Sequence, residues 1–164
     1  MSAREIIVNH DEWRKGTGGA KAGLVGESDC SSYTGLDLDL STFLSSKFDG
    51  SSFTATTFKG AIWTRCQFKN CHFNGCSFED ISIAGCSFMD CVFADSHFKN
   101  SHLSGSKFNR CTWNDLNFDS AFWSGVEILD CTGMQIEATD LRGEQVDFTG
   151  TNFQSTEFVN ARIN

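Results

Sequence analysis

A five-residue period dominates this sequence and limits the folds that the chain can adopt. From Tyr33 onward a large apolar side chain, most often Phe, recurs at every fifth position, and we call this position the centre of each repeat. This regular series of large centres runs to Ile128, and it resumes at Phe148 and continues to Ile163. It matches neither the 3.6-residue repeat of an amphipathic helix nor the two-residue repeat of a long strand. The chain must therefore alternate very short extended segments with corners.

Two further positions in each repeat support this interpretation. Two residues before the centre the side chain is small or a thiol, as at Ser51, Ala61 and Cys71, and two residues after it Gly, Asn and Asp are common, as at Gly75 and Asn70. Residues two apart in an extended chain point to the same side, so each repeat directs one large and one small side chain inward. Gly, Asn and Asp tolerate the left-handed backbone of a corner. Strand and corner repeated at a fixed period predict a solenoid.

The units Ser41-Thr42-Phe43-Leu44-Ser45 and Val146-Asp147-Phe148-Thr149-Gly150 resemble the pentapeptide-repeat family, whose consensus is Ala-(Asp/Asn)-Leu-x-x. The resemblance covers residues 31–163 as 27 consecutive units. It implies an all-β fold, a right-handed four-sided parallel β-helix with four units per coil and hence about seven coils. At about 4.8 Å per coil such a rod is roughly 30 Å long.

Coils of twenty residues would stack equivalent side chains into columns. The expected core columns are Phe48, Phe68, Phe88 and Phe108; Phe58, Phe78, Phe98 and Phe118; and Cys71, Cys91, Cys111 and Cys131. Pro is absent from the chain, which suits a backbone whose N–H groups pair between coils.

We expect residues 1–21 to form an N-terminal cap and residues 22–164 a single β-helix domain. In the cap, Ile6-Ile7-Val8 predicts a short strand, and Asn9 is the expected N-cap of a short helix that ends at Gly16. A solenoid needs its first coil covered, and Trp13 is the candidate for that role. Residues 22–30 are expected to be an irregular opening coil.

The repeat is least regular between residues 131 and 145. Keeping the register places Gly133, Ala138 and Gly143 at centres, with the larger residues Ile136 and Leu141 two positions before a centre. Large and small side chains would then have exchanged places, which conserves core volume. The alternative is that residues 144–145 bulge outward. We favour the exchange because the register returns intact at Phe148, and Leu141 is buried in either case.

The eight cysteines raise the alternatives of a disulfide framework and a metal site. Seven of them, all except Cys30, occupy the small inward position, where a free thiol acts as a compact apolar side chain. Stacked coils arrange thiols in parallel columns, whereas zinc needs four converging ligands. We therefore expect reduced structural thiols with no metal or cofactor, and a reducing compartment, the bacterial cytoplasm. No signal peptide or membrane-length apolar run is visible.

The sequence offers no constellation for catalysis, and we predict that the protein is not an enzyme. His72 directly follows Cys71, so in a strand the two side chains point to opposite faces. His97 and His102 lie on different predicted sides. The glycines mark corners, and their periodicity explains them without a phosphate-binding loop.

Charge is distributed unevenly over the four predicted sides of a chain whose net charge is −8. The side that contains Phe58 and Phe78 has a net charge of −6, from eight acids against Lys59 and Lys99. The side of Trp63 and Trp123 has +2, from Arg65, Arg142 and Arg162 against Glu144. The acids of the first side form a candidate interaction surface: Asp37, Asp39, Glu79, Asp80, Asp119, Glu137, Asp140 and Glu157.

Two apolar features lie outside the predicted core. Phe122 and Ile62 should point outward in one column; scattered surface apolar residues are normal, so we interpret them as ordinary surface, with a binding patch as the alternative. The repeat continues to the last residue without a covering segment, so we expect Phe158 and Ile163 to form the contact of an end-to-end homodimer.

These features predict a macromolecular interaction scaffold with a protein partner and with no direct contact to nucleic acid or membrane. The family resemblance implies two alternatives. One is an acidic DNA mimic that binds DNA gyrase or topoisomerase, either inhibiting it or protecting it from quinolones. The other is a secreted effector or secretion-system accessory module, exported without a cleavable signal peptide.

Overall fold

The computed structural model describes residues 1–21 and 23–164. It is a parallel β-solenoid of about seven coils preceded by a short helix, which confirms the fold predicted from the repeat. The strands are β1 Gly23–Val25, β2 Ser28–Asp29, β3 Ser32–Thr34, β4 Thr42–Leu44, β5 Lys47–Asp49, β6 Ser52–Thr54, β7 Ile62–Thr64, β8 Gln67–Lys69, β9 His72–Asn74, β10 Ser82–Ala84, β11 Ser87–Met89, β12 Val92–His97, β13 His102–Ser104, β14 Lys107–Asn109, β15 Thr112–Asn117, β16 Phe122–Ser124, β17 Glu127–Leu129, β18 Thr132–Thr139, β19 Arg142–Glu144, β20 Asn152–Gln154, β21 Glu157–Val159 and β22 Arg162–Ile163.

The strands build a solenoid with four sides. Sheet A has the order β1-β4-β7-β10-β13-β16-β19-β22, sheet B β17-β14-β11-β8-β5-β2, and sheet C β20-β18-β15-β12-β9-β6-β3. The fourth side, which we call side D, is held by isolated bridges such as Thr57 with Ser77, by the ends of β12, β15 and β18, and by the pairing of β21 with β18. Going around a coil, sheet A is followed by B, C and D, so sheets A and C face away from each other.

The helix α1, Ala3–Lys15, replaces the strand and short helix that we expected at the N-terminus. Ser2, not Asn9, is the N-cap, and its side-chain oxygen accepts the N–H of Glu5 at 3.2 Å. Gly16 ends the helix with φ of 74°, as the sequence predicts. The strand prediction at residues 6–8 was wrong because packing of one helix face against the first coil outweighs the β-propensity of Ile and Val.

Trp13 does not cover the first coil, contrary to expectation. Its side chain is 38% exposed, whereas Ala3, Ile7 and His10, which lie on one helix face, are each at most 3% exposed. His10 Nε2 lies 2.8 Å from the carbonyl oxygen of Asp39. A small, close-fitting face covers the coil, and the indole lies outside it.

The opening coil is regular rather than irregular, with one residue fewer than the others. Gly23 pairs with Thr42, a separation of 19 residues, whereas Phe68 pairs with Phe88, a separation of 20. The missing residue shifts Leu24 and Asp29 out of the five-residue register, which hid β1 and β2 in the sequence. Ala22, where the predicted domain begins, lies outside the described residues.

Asp29 occupies a centre position of the opening coil and is almost buried. Its carboxylate accepts hydrogen bonds from the Tyr33 hydroxyl and the Ser51 hydroxyl, each at 2.6 Å, and from the N–H of Ser31 at 3.0 Å. Burial, together with the bond to Asp29, raises the pKa of Tyr33. Three donors compensate the desolvation of the carboxylate, so this acid is structural.

Aromatic rings stack along the interior of the rod. Ring centroids are 4.6, 4.8 and 4.6 Å apart from Phe48 through Phe68 and Phe88 to Phe108. The column of Phe58, Phe78, Phe98 and Phe118 has spacings of 5.3, 4.5 and 4.8 Å. These spacings reproduce the distance between coils, so each ring fills the space between its neighbours.

The thiols of Cys71, Cys91, Cys111 and Cys131 form a parallel column beside the rings. Each Sγ donates to the carbonyl oxygen of the Phe located 23 residues earlier, at 3.3 to 3.5 Å. All eight cysteines are free thiols; seven are buried and Cys30 is exposed. Burial raises the pKa of Cys76 to about 11, and contacts with the Cys111 and Cys71 sulfurs, together with burial, raise that of Cys91.

The register between residues 131 and 145 follows the size exchange. Gly133 pairs with Trp113, Ile136 with Leu116 and Gly143 with Trp123, and both Ile136 and Leu141 are fully buried. With no ring at Gly133, Trp113 stacks directly on Phe153 two coils away, at 5.3 Å between centroids. The volume lost at the glycine is thus filled by two rings closing over it.

Candidate interaction surfaces

The eight acids predicted as one surface all lie along side D, but half of them have structural partners. The carboxylate of Asp37 contacts Arg14 Nε at 3.1 Å, and that of Asp39 contacts Arg14 Nη2 at 3.6 Å. Asp119 Oδ1 accepts the N–H of Thr139 at 2.7 Å, and Asp140 accepts the side-chain amide of Asn160. These contacts attach α1 or join successive coils.

Side D needs such contacts because isolated bridges leave part of its backbone without strand partners. Asp39 Oδ1 accepts the N–H of Lys59 at 2.7 Å, twenty residues ahead, as Asp119 does for Thr139. A carboxylate on one coil thereby satisfies a backbone donor on the next. Some of the acids on this side are therefore structural. The sequence alone does not distinguish them from acids that are free to bind a partner.

The remaining acids of the predicted surface are Glu79, Asp80, Glu137 and Glu157, and no side-chain hydrogen bond or ion pair of theirs occurs within residues 1–21 and 23–164. Glu137 and Glu157 are register partners on adjacent coils. With Asp115, Gln135 and Ser155 they line a shallow groove of about 310 Å³ at the corner between sheet C and side D.

Sequence analysis missed the acids at this corner. Asp95 and Asp115 have left-handed backbones, with φ of 49° and 55°, and belong to adjacent coils. A hydrogen bond with the neighbouring carboxyl of Asp95 raises the pKa of Asp115, and desolvation and the charge of Asp95 act in the same direction. Their twenty-residue spacing is the signal in the sequence that would have placed them on adjacent coils. The acidic surface therefore continues around the corner.

The opposite charge is found on sheet A. Arg65, Arg142 and Arg162 border its outer face, and none of the three forms an ion pair in the part of the chain that the structure describes. Arg142 Nη1 instead donates to the carbonyl oxygen of Asn160 at 2.7 Å. Ile62 and Phe122 lie on this face; Ile62 is 48% exposed, and the Phe122 ring contacts the His102 ring edge-on at 5.5 Å.

The last coil is the most exposed part of the core. Phe158 is 38% exposed, whereas Phe58, Phe78 and Phe98 in the same column are at most 1% exposed. Ile163 packs against the core but is only half-buried. The predicted end contact is thus an accessible apolar surface in this chain.

The side chains considered for catalysis are dispersed. Cys71 is buried and His72 exposed, on opposite faces of one chain segment. His97 lies on side D and His102 on sheet A. In residues 1–21 and 23–164, no group of three or more His, Cys, Asp or Glu side chains is arranged to hold a metal ion, and no helix is long and apolar enough to cross a membrane.

Comparison with known proteins agrees with this architecture. Residues 61–137 match the family described as pentapeptide repeat region. Residues 61–137 are therefore a pentapeptide-repeat region. No curated protein sequence matches it.

Two solved structures share the fold. QnrB1, a plasmid-mediated fluoroquinolone resistance protein (R167E variant, trypsin-treated), is similar with a TM-score of 0.53 and 15% identity over 87% of this chain and 92% of its own. The pentapeptide-repeat protein Rfr23 from the cyanobacterium Cyanothece 51142 is similar with a TM-score of 0.52 and 11% identity over 99% of this chain and 100% of its own. At these identities the likeness concerns the fold.

Proposed function

We propose that this pentapeptide-repeat protein is a non-enzymatic scaffold that binds a protein partner along side D. The observation that carries the proposal is the row of acids without structural partners, Glu79, Asp80, Glu137 and Glu157, on one side of a rigid rod. A packed solenoid holds these charges at fixed spacing, so a partner binds without ordering them first. Such a row favours a partner with a basic surface. Seven buried thiols support a reducing, cytoplasmic location in a bacterium.

Neutralising those four acids tests the scaffold proposal. The variant Glu79→Gln/Asp80→Asn/Glu137→Gln/Glu157→Gln keeps the fold, because these side chains make no structural contacts. The control removes four charges next to or on sheet B: Asp49→Asn, Glu127→Gln, Asp130→Asn and Asp147→Asn. In affinity capture from bacterial lysate followed by mass spectrometry, we expect the partner to be lost with the first variant and kept with the control. Equal capture by both would contradict a role for side D.

The acidic DNA mimic is the second candidate function, and the continuation of the acidic surface around the corner to Asp95 and Asp115 supports it. Carboxylates along a rod would compete with DNA for the basic DNA-binding surface of gyrase or topoisomerase. If the proposal holds, wild-type protein inhibits gyrase supercoiling and the four-acid variant does not. Unchanged supercoiling at all protein concentrations would exclude the mimic and leave the scaffold. The secreted module remains an alternative from the sequence alone.

An end-to-end homodimer through the last coil is a separate proposal about assembly. Pairing of two copies would cover Phe158 and Ile163 and would align the two acidic sides. The contact is small for a specific interface, so we expect association in the micromolar range or weaker. Analytical ultracentrifugation of Ile163→Asp should give a monomer with an unchanged circular-dichroism spectrum. A wild type that is monomeric at all concentrations would rule the dimer out.

A further inference from the structure

The outer face of sheet A is uncharged over six consecutive strands of a chain whose net charge is −8. The outward residues of β1, β4, β7, β10, β13 and β16 are Gly23, Val25, Thr42, Leu44, Ile62, Thr64, Ser82, Ala84, His102, Ser104, Phe122 and Ser124. Five of these twelve are apolar, and the largest exposures are 62% for Val25 and 48% for Ile62. Exposed apolar side chains on a flat face without charge are typical of a contact surface.

Sheet C is also free of charge on its outer face but is less apolar. Its outward residues are mainly Ser, Thr and Asn, the apolar ones are Val92, Ala94 and Met134, which is 51% exposed, and its corner has the acids Asp95 and Asp115. Sheet A instead has Arg142, Glu144 and Arg162 on its last two strands and Arg65 at its corner with sheet B. It is therefore the side on which two copies of an acidic chain approach with the least repulsion.

The order of strands makes this face self-complementary. In the eight-stranded sheet A, β7 is third from one end and β16 is third from the other. A twofold axis parallel to the strands, between two facing sheets, would therefore place β7 of each copy over β16 of its partner. Ile62 and Phe122 are both the first residue of their strands, so these two largest outward apolar residues would meet twice in the interface.

The same symmetry keeps like charges apart. Arg142 and Arg162 belong to β19 and β22 at one end of the sheet. Antiparallel rods place the arginines of the two copies at opposite ends of the interface, over the uncharged β4 and β1. Parallel rods would instead bring the arginines of both copies to the same end of the interface, where Glu144 on β19 offsets only part of their charge.

We propose that two copies of this chain associate side by side, with antiparallel rods, through the outer faces of sheet A. Eight strands at about 4.8 Å spacing, each about 10 Å long for three residues, give a contact on the order of 400 Å² per copy. This area is near the lower limit for specific interfaces, so we expect a dissociation constant on the order of 100 µM. The proposal uses a different surface from side D and from the last coil, and depends on neither.

A charge-exchange experiment tests both the face and the register. By sedimentation equilibrium up to about 1 mM protein, we expect the wild type to dimerise and Ile62→Lys and Phe122→Glu each to weaken dimerisation at least tenfold. Mixing the two variants in equal amounts should restore the dimer, because the introduced opposite charges then meet at one contact and Ile62 meets Phe122 at the other. The control Val92→Lys, on the outer face of sheet C, should dimerise like the wild type.

Several results would overturn the proposal. A wild type that is monomeric throughout this range excludes the dimer. A dimer that resists both substitutions, or one abolished only by Ile163→Asp, uses another surface. A mixture no stronger than its separate variants excludes the antiparallel register. Small-angle scattering separates the two assemblies, because side-by-side association leaves the maximum dimension of the rod nearly unchanged and end-to-end association doubles it.

Discussion

Each core ring of the solenoid contacts rings in the coils on both sides, so a single position supports two neighbours. Phe88 is fully buried, and its ring centroid lies 4.8 Å from that of Phe68 and 4.6 Å from that of Phe108. We expect Phe88→Ala to lower the free energy of unfolding by about 3–5 kcal/mol, because it leaves a cavity between stacked rings. Ser87→Ala, one residue away and outward, should change it by about 0.5 kcal/mol or less. Urea denaturation measures both; similar costs would contradict the inward assignment.

The buried thiols predict a loss of stability at alkaline pH. Burial raises the pKa of Cys76 from 9.0 to about 11, so the folded state holds its proton more tightly than the unfolded state. The resulting stabilisation is complete below pH 9.0 and is lost as the pH rises through about 11. Cys76→Ser should flatten this decline; the variant suits its column, which has Thr56 and Ser96 at the equivalent positions. Denaturation curves from pH 8 to pH 11, roughly the window of this shift, measure the difference. If the free energy of unfolding falls equally steeply with pH in the wild type and in Cys76→Ser, the Cys76 thiol does not cause the decline.

At the scale of elements, α1 should be held in place by its inward face rather than by its tryptophan. Ile7 is 1% exposed and Trp13 38% exposed. We expect Ile7→Ala to destabilise docking of the helix by about 2–4 kcal/mol. Trp13→Ala should cost about 1 kcal/mol or less. Hydrogen exchange of the amides in β1 to β3 reports docking, and faster exchange in Trp13→Ala than in Ile7→Ala would restore the indole as the cover.

Two strand glycines with ordinary φ values form a matched pair for the region of size exchange. A Cβ atom at Gly133 would lie 1.8 Å from the carbonyl oxygen of Trp113, whereas one at Gly23 would lie 3.9 Å from that of Thr42. Gly133→Ala should therefore shift the backbone of β18 and lower the thermal midpoint by several degrees, since about 1 kcal/mol corresponds to roughly 2–8 °C. Gly23→Ala should leave it almost unchanged. Equal thermal midpoints for the two variants would mean that the backbone near Gly133 can shift to accommodate a Cβ atom without loss of stability.

Sequence analysis identified the elements whose inward side chains follow the five-residue period. The centre and small positions alternate inside every coil, so a large residue every fifth position predicts strands, corners and columns together. Three features escaped this logic. Helix α1 depends on its fit to the first coil, the opening coil lacks one residue, and Asp29 has a polar side chain at a centre. The structural and free acids of side D differ only in whether a donor of the next coil or of α1 faces them.

At the scale of the molecule, stability should decrease toward the last coil of this 164-residue chain, because each coil contacts only its neighbours. Centres from Phe48 to Ile128 are almost fully buried, whereas Phe148 and Phe153 are half-buried. We expect the amides of β8 and β11 to exchange most slowly and those of β20 to β22 most quickly, by several orders of magnitude. Native-state hydrogen exchange with mass spectrometry measures the gradient. Uniform protection along the rod would indicate that the last coil is covered, for example by a second copy.

The distribution of tryptophan makes the chain its own spectroscopic reporter. Trp63, Trp113 and Trp123 are at most 1% exposed, and their indole N–H groups have no hydrogen-bond acceptor in the described residues. These indoles should therefore emit at short wavelength and resist quenching by iodide. Trp13, on α1, should emit at longer wavelength and be quenched readily. One fluorescence titration can thus distinguish detachment of the helix, which changes only the quenched component, from melting of the solenoid, which shifts the protected one.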